Sequence, residues 1–410
     1  MAAASRPAGD VGVVAIVGAG TMGAGIAQLA LEAGEVVHLH DVDAAAIERG
    51  RARIRTGLER RAARLDLDPD SADAWVEGRI ERLRDAGSLD DVAGARPDLV
   101  VEAALEDLEA KRAIFAALDR ALGPDTILAT NTSALSVASI AAATGRAGRV
   151  LGLHFFNPAP VMPLVEVVAG PATEPAVLER ASAWMTAWGK VPVRCTDTPG
   201  FIVNRVNRPF TLEALALLAS GAATIDAIDG AMRDVGFPLG PFELMDLTGI
   251  DITLAASGGI FERSRTAGDP LAERFRPSPI QERLVAEGRL GRKTGAGFYD
   301  YGPDGRATGP AGEFRPARQP STDLASDTIV GRITLAIVNE AYRALGDGVA
   351  TTDDIDLAMR LGAGHPTGPF ERATALGGPA AVLAALGTLA DDGPRFDPAP
   401  ALRAAATIGI

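Results

Sequence analysis

Val13-Val14-Ala15-Ile16-Val17 runs straight into Gly18-Ala19-Gly20-Thr21-Met22-Gly23, and this junction decides the fold. The first five residues are apolar and mostly β-branched, as in a strand buried on both faces. A helical stretch then runs from about Thr21 to Ala33, where Gly34 stops it. A G-x-G-x-x-G run alone is a weak signal and also fits a plain glycine-rich turn. Between a strand and a helix it has the context a dinucleotide needs. Gly18 makes the tight turn, Gly20 admits the pyrophosphate to the main chain, and Gly23 lets helix and strand pack closely. Ala19, Thr21 and Met22 complete the cradle, where the helix N-terminus offers N–H groups and partial positive charge. Val36-Val37-His38-Leu39-His40-Asp41 reads as the second strand. Asp41 can accept hydrogen bonds from ribose hydroxyls and would repel a 2′-phosphate, so NAD is the expected cofactor. A helix cap before Ala44 is its alternative role.

Outward from this unit, strand and helix alternate. A charged helix is expected from Ala44 to about Arg64, and more helix from Ser71 to Arg84. Asp98–Val101, Thr126–Ala129 and Val150–His154 read as strands, with a helix over Asp107–Leu122. The pattern predicts a parallel sheet covered on both faces, a Rossmann-type α/β domain over residues 11–197. The texture turns helical after Pro199-Gly200, with a long apolar helix expected over Phe201–Ala219. Residues 221–232 recur at 348–359, an offset of 127 with 8 of 12 identities. Gly240-Pro241-Phe242-Glu243 recurs as Gly368-Pro369-Phe370-Glu371, and Glu213-Ala214 as Glu340-Ala341. Three blocks in order predict a duplicated helical domain: 198–301 and 326–410, joined by a Pro/Gly-rich linker over 302–325.

Composition narrows the function. The 410 residues are 47% hydrophobic and 23% charged, which excludes a disordered chain. A net charge of −13 disfavours a nucleic-acid partner. Cys195 is the single cysteine, so no intrachain disulfide forms and a reducing compartment is expected. Met1–Asp10 lacks the layout of a signal peptide. Two uncharged stretches are poor membrane spans: 126–145 is broken by Asn131-Thr132-Ser133, and 373–390 contains Pro379. A soluble cytoplasmic protein with no membrane partner is expected. One cysteine and four scattered histidines make no metal site.

Those four histidines permit elimination. His38 and His40 alternate on the second strand and serve packing or the sheet edge. His365 has Phe237 as its counterpart in the first repeat. His154 ends a strand, in Gly152-Leu153-His154-Phe155-Phe156-Asn157-Pro158, where an open α/β sheet places its ligand crevice. Imidazole is also well matched to proton transfer near neutral pH. Glu166 lies in Leu164-Val165-Glu166-Val167-Val168, and a carboxylate inside an apolar strand needs a partner. His154 is the obvious one, with Glu166 orienting the ring and stabilising the imidazolium. A solvent-facing edge-strand glutamate is the alternative.

These segments together resemble the L-3-hydroxyacyl-CoA dehydrogenases, including the 3-hydroxybutyryl-CoA dehydrogenases. The resemblance runs from about Val11 to Tyr301. It is carried by the glycine run, Asn131-Thr132-Ser133, the His154 and Glu166 segments, Pro199-Gly200-Phe201-Ile202-Val203-Asn204-Arg205, and Gly295-Ala296-Gly297-Phe298-Tyr299. It implies NAD-dependent, reversible oxidation of an L-3-hydroxyacyl-CoA to the 3-oxoacyl-CoA, with short-chain 3-hydroxybutyryl-CoA as one candidate. It implies that His154 is the base for the C3 hydroxyl, with Glu166 as its partner. Ser133 would bond the reacting oxygen and Asn204 would position the thioester. Asp41, Glu106, Lys111, Ser133 and Asn157 fall where the family contacts NAD. Without the resemblance, Ser133 reads as a helix N-cap and Asn204 as a polar helix face. Related enzymes touch coenzyme A through a small polar residue and a lysine, and here those places hold Gly57 and Arg64. A solvated charged helix explains the same arginines.

The second helical copy has Gly331 where the first has Asn204, so one active site per chain is expected. The copy is expected to pack on the first as an internal pseudo-dimer, similar to the dehydrogenase part of the multifunctional fatty-acid oxidation enzymes, in a monomer or a homodimer. Two other readings stand beside this one. A related dehydrogenase of a free hydroxy acid or sugar acid, like gulonate dehydrogenase and lambda-crystallin, shares the architecture. A non-catalytic NAD-binding protein has no use for an intact acid-histidine pair.

Overall fold

The computed structural model describes residues 12–314 and 324–408. Two compact units meet at the junction of Asp197 and Thr198. The first holds eight strands: β1 (Val13–Val17), β2 (Val36–His40), β3 (Leu83–Ala86), β4 (Leu99–Glu102), β5 (Ile127–Thr130), β6 (Val150–Phe155), β7 (Leu164–Ala169) and β8 (Val191–Thr196). Its helices are α1 (Thr21–Glu32), α2 (Ala44–Ala62), α3 (Pro69–Ile80), α4 (Leu89–Gly94), α5 (Leu108–Ala121), α6 (Val137–Ala141) and α7 (Pro175–Ala187). The sheet order is β3-β2-β1-β4-β5-β6-β7-β8. Apolar residues of the central strands are fully buried, as strands covered on both faces require.

The expected all-parallel sheet is mixed, because β7 runs antiparallel to β6. Only residues 156–163 join them, too few for a crossover helix, so the chain must turn back on itself. This reversal places His154 directly opposite Glu166. The helix expected over Ser71–Arg84 stops at Ile80, and Leu83–Ala86 forms the edge strand β3. Leu83 and Ala86 turn inward while Arg84 and Asp85 face solvent, a four-residue pattern too short to announce itself. His40 therefore lies on an interior strand, where its Nδ1 meets the Ala86 carbonyl at 2.9 Å.

The second unit begins with α8 (Val203–Val206), α9 (Arg208–Ala219), α10 (Ile225–Asp234), α11 (Pro241–Thr248), α12 (Ile250–Thr266) and α13 (Pro279–Ala286). A hairpin follows, β9 (Tyr299–Tyr301) with β10 (Ala307–Pro310). Then come α14 (Ser326–Gly346), α15 (Thr352–Ala363), α16 (Pro369–Ala375), α17 (Pro379–Gly387) and α18 (Pro400–Ile408). The single helix expected over Phe201–Ala219 is broken. Phe201 takes φ 50, and α8 and α9 are divided at Asn207, where Pro209 removes a helical N–H donor. The expected linker is partly the β9–β10 hairpin, and its residues 315–323 lie outside the described residues, as does Met1–Asp10.

The repeat is visible in equivalent bonds. Asp229 on α10 accepts from the N–H groups of Phe242 and Glu243 at 3.0 Å, and Asp356 on α15 does the same for Phe370 and Glu371 at 2.8 and 3.0 Å. Helix α9 packs on α14, and each of the two carries a buried glutamate that pairs with two arginines. Glu340 accepts from Arg205 and Arg274, both at 2.7 Å, while Glu213 accepts from Arg332 and Arg395 at 2.8 and 3.0 Å. The 127-residue offset converts Arg205 into Arg332 and Glu213 into Glu340. The contact has the self-complementary pattern of a two-fold dimer, built inside one chain. Among the described residues, no single helix is long and apolar enough to cross a membrane.

Candidate active site

From the sheet centre the chain winds one way through β1, β2 and β3 and the other way through β4, β5 and β6, so a crevice opens at the ends of β1 and β4. Gly18 sits there with φ +106, and a Cβ on it would lie 2.6 Å from the Ala103 carbonyl oxygen. A Cβ on Gly23 would lie 1.8 Å from the Gly18 carbonyl oxygen. Packing thus demands the first and third glycines. Gly20 differs: its φ is an ordinary −66, and its Cβ would meet nothing within 4 Å. It keeps a space open at the start of α1, where a pyrophosphate fits against free N–H groups.

Asp41 stands at the rim. One oxygen accepts from the Ala19 N–H at 2.8 Å and the other from the Asp43 N–H at 3.2 Å. The cap of α2 is Asp43, which accepts from Ala45 N–H at 2.9 Å, so Asp41 is not the cap. The carboxylate is half-exposed, with lone pairs left for a ribose.

Beyond β4, Glu106 accepts from the Thr132 hydroxyl at 2.6 Å and the Ser133 N–H at 2.8 Å. Burial opposes its ionisation, but the Lys111 ammonium, the Thr132 hydroxyl and the Ser133 and Ala134 amides outweigh that and hold its pKa low. Lys111 is itself buried, donating to Glu102 at 2.6 Å and pairing with Glu106 at 3.3 Å. Its contribution is therefore to hold those carboxylates from behind. Ser133 is exposed in a bend, and α6 is capped instead by Ser136. The N-cap reading of Ser133 is thus replaced.

His154 and Glu166 carry the chemistry. They are register partners on β6 and β7, and Nδ1 lies 2.6 Å from Glu166 Oε2. Glu166 is fully buried, and β7 is an interior strand, so the solvent-facing alternative is overturned. A carboxylate against Nδ1 makes that nitrogen the donor and leaves the basic lone pair on Nε2. Phe156 packs on the imidazole with ring centroids 4.6 Å apart. Asn157 follows, exposed, before a cis bond to Pro158.

A cleft of about 820 Å³ runs between α1, α2 and the segment after β6. Gln28, Gly57, Arg60, Arg64, Pro160 and Lys190 are among its walls. Lys190 donates to the carbonyls of Ala159 and Met162 at 2.6 and 2.8 Å, and burial pushes its pKa down to about 8. Gly57 lies beneath Gln28, whose Oε1 would be 2.0 Å from a Cβ. A side chain there would have to displace the Gln28 amide, and glycine itself carries none, so only Arg64 of the two expected coenzyme contacts offers a polar group. Asn204 belongs to the helical unit, half-buried on α8.

Three polar residues carry roles that the sequence did not assign them. Glu102 is fully buried at the end of β4 and accepts from Lys111, the Thr130 hydroxyl and the Ala104 N–H. The signal was available, since it closes an apolar strand just as Glu166 interrupts one. Asn131 accepts from the Phe155 N–H at 2.9 Å, tying the Asn-Thr-Ser turn to the strand of His154. Thr132 orients Glu106. Only tertiary proximity assigns these last two.

Residues 13–198 match the family described as 3-hydroxyacyl-CoA dehydrogenase, NAD binding domain. The description 3-hydroxyacyl-CoA dehydrogenase, C-terminal domain, matches two segments, 200–301 and 329–407. The chain is 37% identical to a 3-hydroxyadipyl-CoA dehydrogenase of Escherichia coli K12, over 90% of this chain and 91% of that one. It is 39% identical to a 3-hydroxybutyryl-CoA dehydrogenase of Mycobacterium tuberculosis, over 70% of this chain and 98% of the relative. A crystal structure of an Escherichia coli K12 3-hydroxybutyryl-CoA dehydrogenase superposes with a TM-score of 0.85 at 35% identity, covering 97% of this chain and 99% of that one.

Proposed function

The chain belongs to the 3-hydroxyacyl-CoA dehydrogenase family, and from that premise we propose that it oxidises L-3-hydroxyacyl-CoA to 3-oxoacyl-CoA, reversibly, with NAD. The observation that carries the reading is the buried His154–Glu166 pair in the NAD-binding unit. NAD, when bound, accepts the hydride from C3. His154 Nε2 takes the C3 hydroxyl proton, and Glu166 stabilises the imidazolium that forms. Ser133 bonds the reacting oxygen, and Asn204 positions the thioester. Asp41 takes the ribose hydroxyls, and Glu106, held by Lys111, lines the cofactor site with Asn157. Arg64 meets a coenzyme phosphate at the cleft. The chain supplies position and charge, and the reaction balances as alcohol plus NAD giving ketone, NADH and a proton.

In this reading the helical unit is a duplicated module whose second copy stands where another chain's domain would pair. Light scattering should then find no dimer built by exchange of helical domains. Its single cysteine, which is buried, accords with a reducing compartment such as the cytoplasm.

The test follows NADH consumption with acetoacetyl-CoA, beside free acetoacetate and the His154→Ala variant. Thioester-dependent turnover that collapses in the variant is expected. Turnover of the free acid alone, or full activity without His154, would overturn the assignment.

A further inference from the structure

Among the described residues the helical unit buries four arginines, and three of them have carboxylates. Arg205 bonds Glu340 and Asp347, Arg274 bonds Glu340 and Asp269, and Arg343 bonds Asp397. Arg208 has none among the described residues. Only 7% of it is exposed. Its Nε has no hydrogen-bond partner, and its Nη1 reaches only the Ser257 hydroxyl, at a long 3.4 Å. Burial pulls its pKa down to about 10, which still leaves it charged at neutral pH. A buried charge without a counter-charge is strongly unfavourable, so such a group persists where something else pairs with it.

The fold itself does not ask for this arginine. By the 127-residue offset, Arg208 corresponds to Leu335 in the second copy, a buried leucine that packs in the core. The same offset turns Asn204 into Gly331. The copy without its own dinucleotide unit has thus lost both polar groups, while Arg205 and Arg332 keep their mirrored ion pairs. Asn204 and Arg208 are four residues apart in nearly continuous helical backbone, since Asn207 between α8 and α9 is itself helical. Four residues is just over one turn, a rise of about 6 Å along one helix face, which about five C–C bonds of an extended chain would span.

We propose that Arg208 receives the terminal carboxylate of a dicarboxylic 3-hydroxyacyl thioester of about adipyl length, and so selects that substrate class. The inference rests on the dehydrogenase reading, in which Asn204 holds the thioester end. Guanidinium suits the task, since its planar fork meets a carboxylate through two N–H groups. A neutral tail of the same length would leave the cation unpaired, and that penalty is what discriminates.

The test compares kcat/KM for 3-hydroxyadipyl-CoA and 3-hydroxyhexanoyl-CoA, equal in length and different only in the terminal charge. Wild type should prefer the diacid. Arg208→Gln should lower kcat/KM for the diacid by about a hundredfold and raise it for the neutral thioester, whose tail no longer meets an unpaired cation. Arg208→Lys should restore part of the preference. Equal use of both thioesters by wild type, or an equal fall for both in Arg208→Gln, would overturn the proposal. If Arg208→Gln does not fold, competition in wild type decides: adipyl-CoA should inhibit more strongly than hexanoyl-CoA, and equal inhibition would refute Arg208 as the receptor. Oxidation of neither thioester would sink the dehydrogenase reading instead, with the competition still reporting on the arginine.

Discussion

Glu166→Gln should lower kcat by about a thousandfold while leaving NAD binding and folding intact. The pair is short, 2.6 Å between Nδ1 and Oε2, and Glu166 is fully shielded from solvent. A general base acts from its unprotonated form, so in the reactive state replacing the carboxylate by an amide strands no cation. The amide oxygen can still accept from Nδ1–H and hold the ring. What is lost is the negative charge facing the imidazolium, which develops only as the proton is taken. Two unit charges about 4 Å apart at an effective dielectric of about 20 attract by about 4 kcal/mol. That loss falls on the transition state, so it appears in kcat and not in KM. The assay is steady-state NADH formation from a 3-hydroxyacyl-CoA, with thermal unfolding and NADH titration as controls. A fall of less than about tenfold, or 1.4 kcal/mol, in a folded variant that binds NADH would refute the claim that the carboxylate acts through its charge.

The glycines of the cofactor turn should separate into two kinds. Gly20→Val leaves the melting temperature near wild type and weakens NADH binding, whereas Gly23→Ala destabilises the unit itself, because its Cβ would lie 1.8 Å from Gly18 O; calorimetry beside NADH titration distinguishes them. His365 gives a pH dependence: burial, then the Arg372 charge, hold its pKa down to about 3, so the folded state favours the neutral ring. Stability is therefore full above about pH 6.5 and falls as pH drops towards 3, by about 2 kcal/mol at pH 5, a slope that His365→Gln should remove in urea titrations. Glu213→Gln and Glu340→Gln should each cost about 3 kcal/mol in denaturant unfolding, since each deprives two arginines of a shared buried partner. A large effect from one and none from the other would show that the reciprocal geometry is not matched in energy.

Much of this architecture was legible because it rests on local chemistry. The Val13–Gly23 junction specifies a strand, a turn and a helix that only glycines can join. The repeat was readable as identities at a fixed offset, and Glu166 as a charge that an apolar strand could not hold alone. Elements failed where local signals were thin. The edge strand β3 has only two inward residues, and the break between α8 and α9 is a single Asn207 before Pro209.

The sequence by itself determined the kind of chemistry: a dinucleotide turn, an acid–histidine pair and a duplicated helical module, each written in residues close in the chain or matched at a fixed spacing. Tertiary structure alone decided the rest. The antiparallel turn between β6 and β7 sets Glu166 against His154 in register, and Lys111 proves to be a support for Glu102 and Glu106. It also left Arg208 without a carboxylate among the described residues, while its three buried neighbours in kind found theirs. A side chain's partners depend on which distant segments the fold brings within a few ångströms, and no local pattern of apolar and charged residues encodes that.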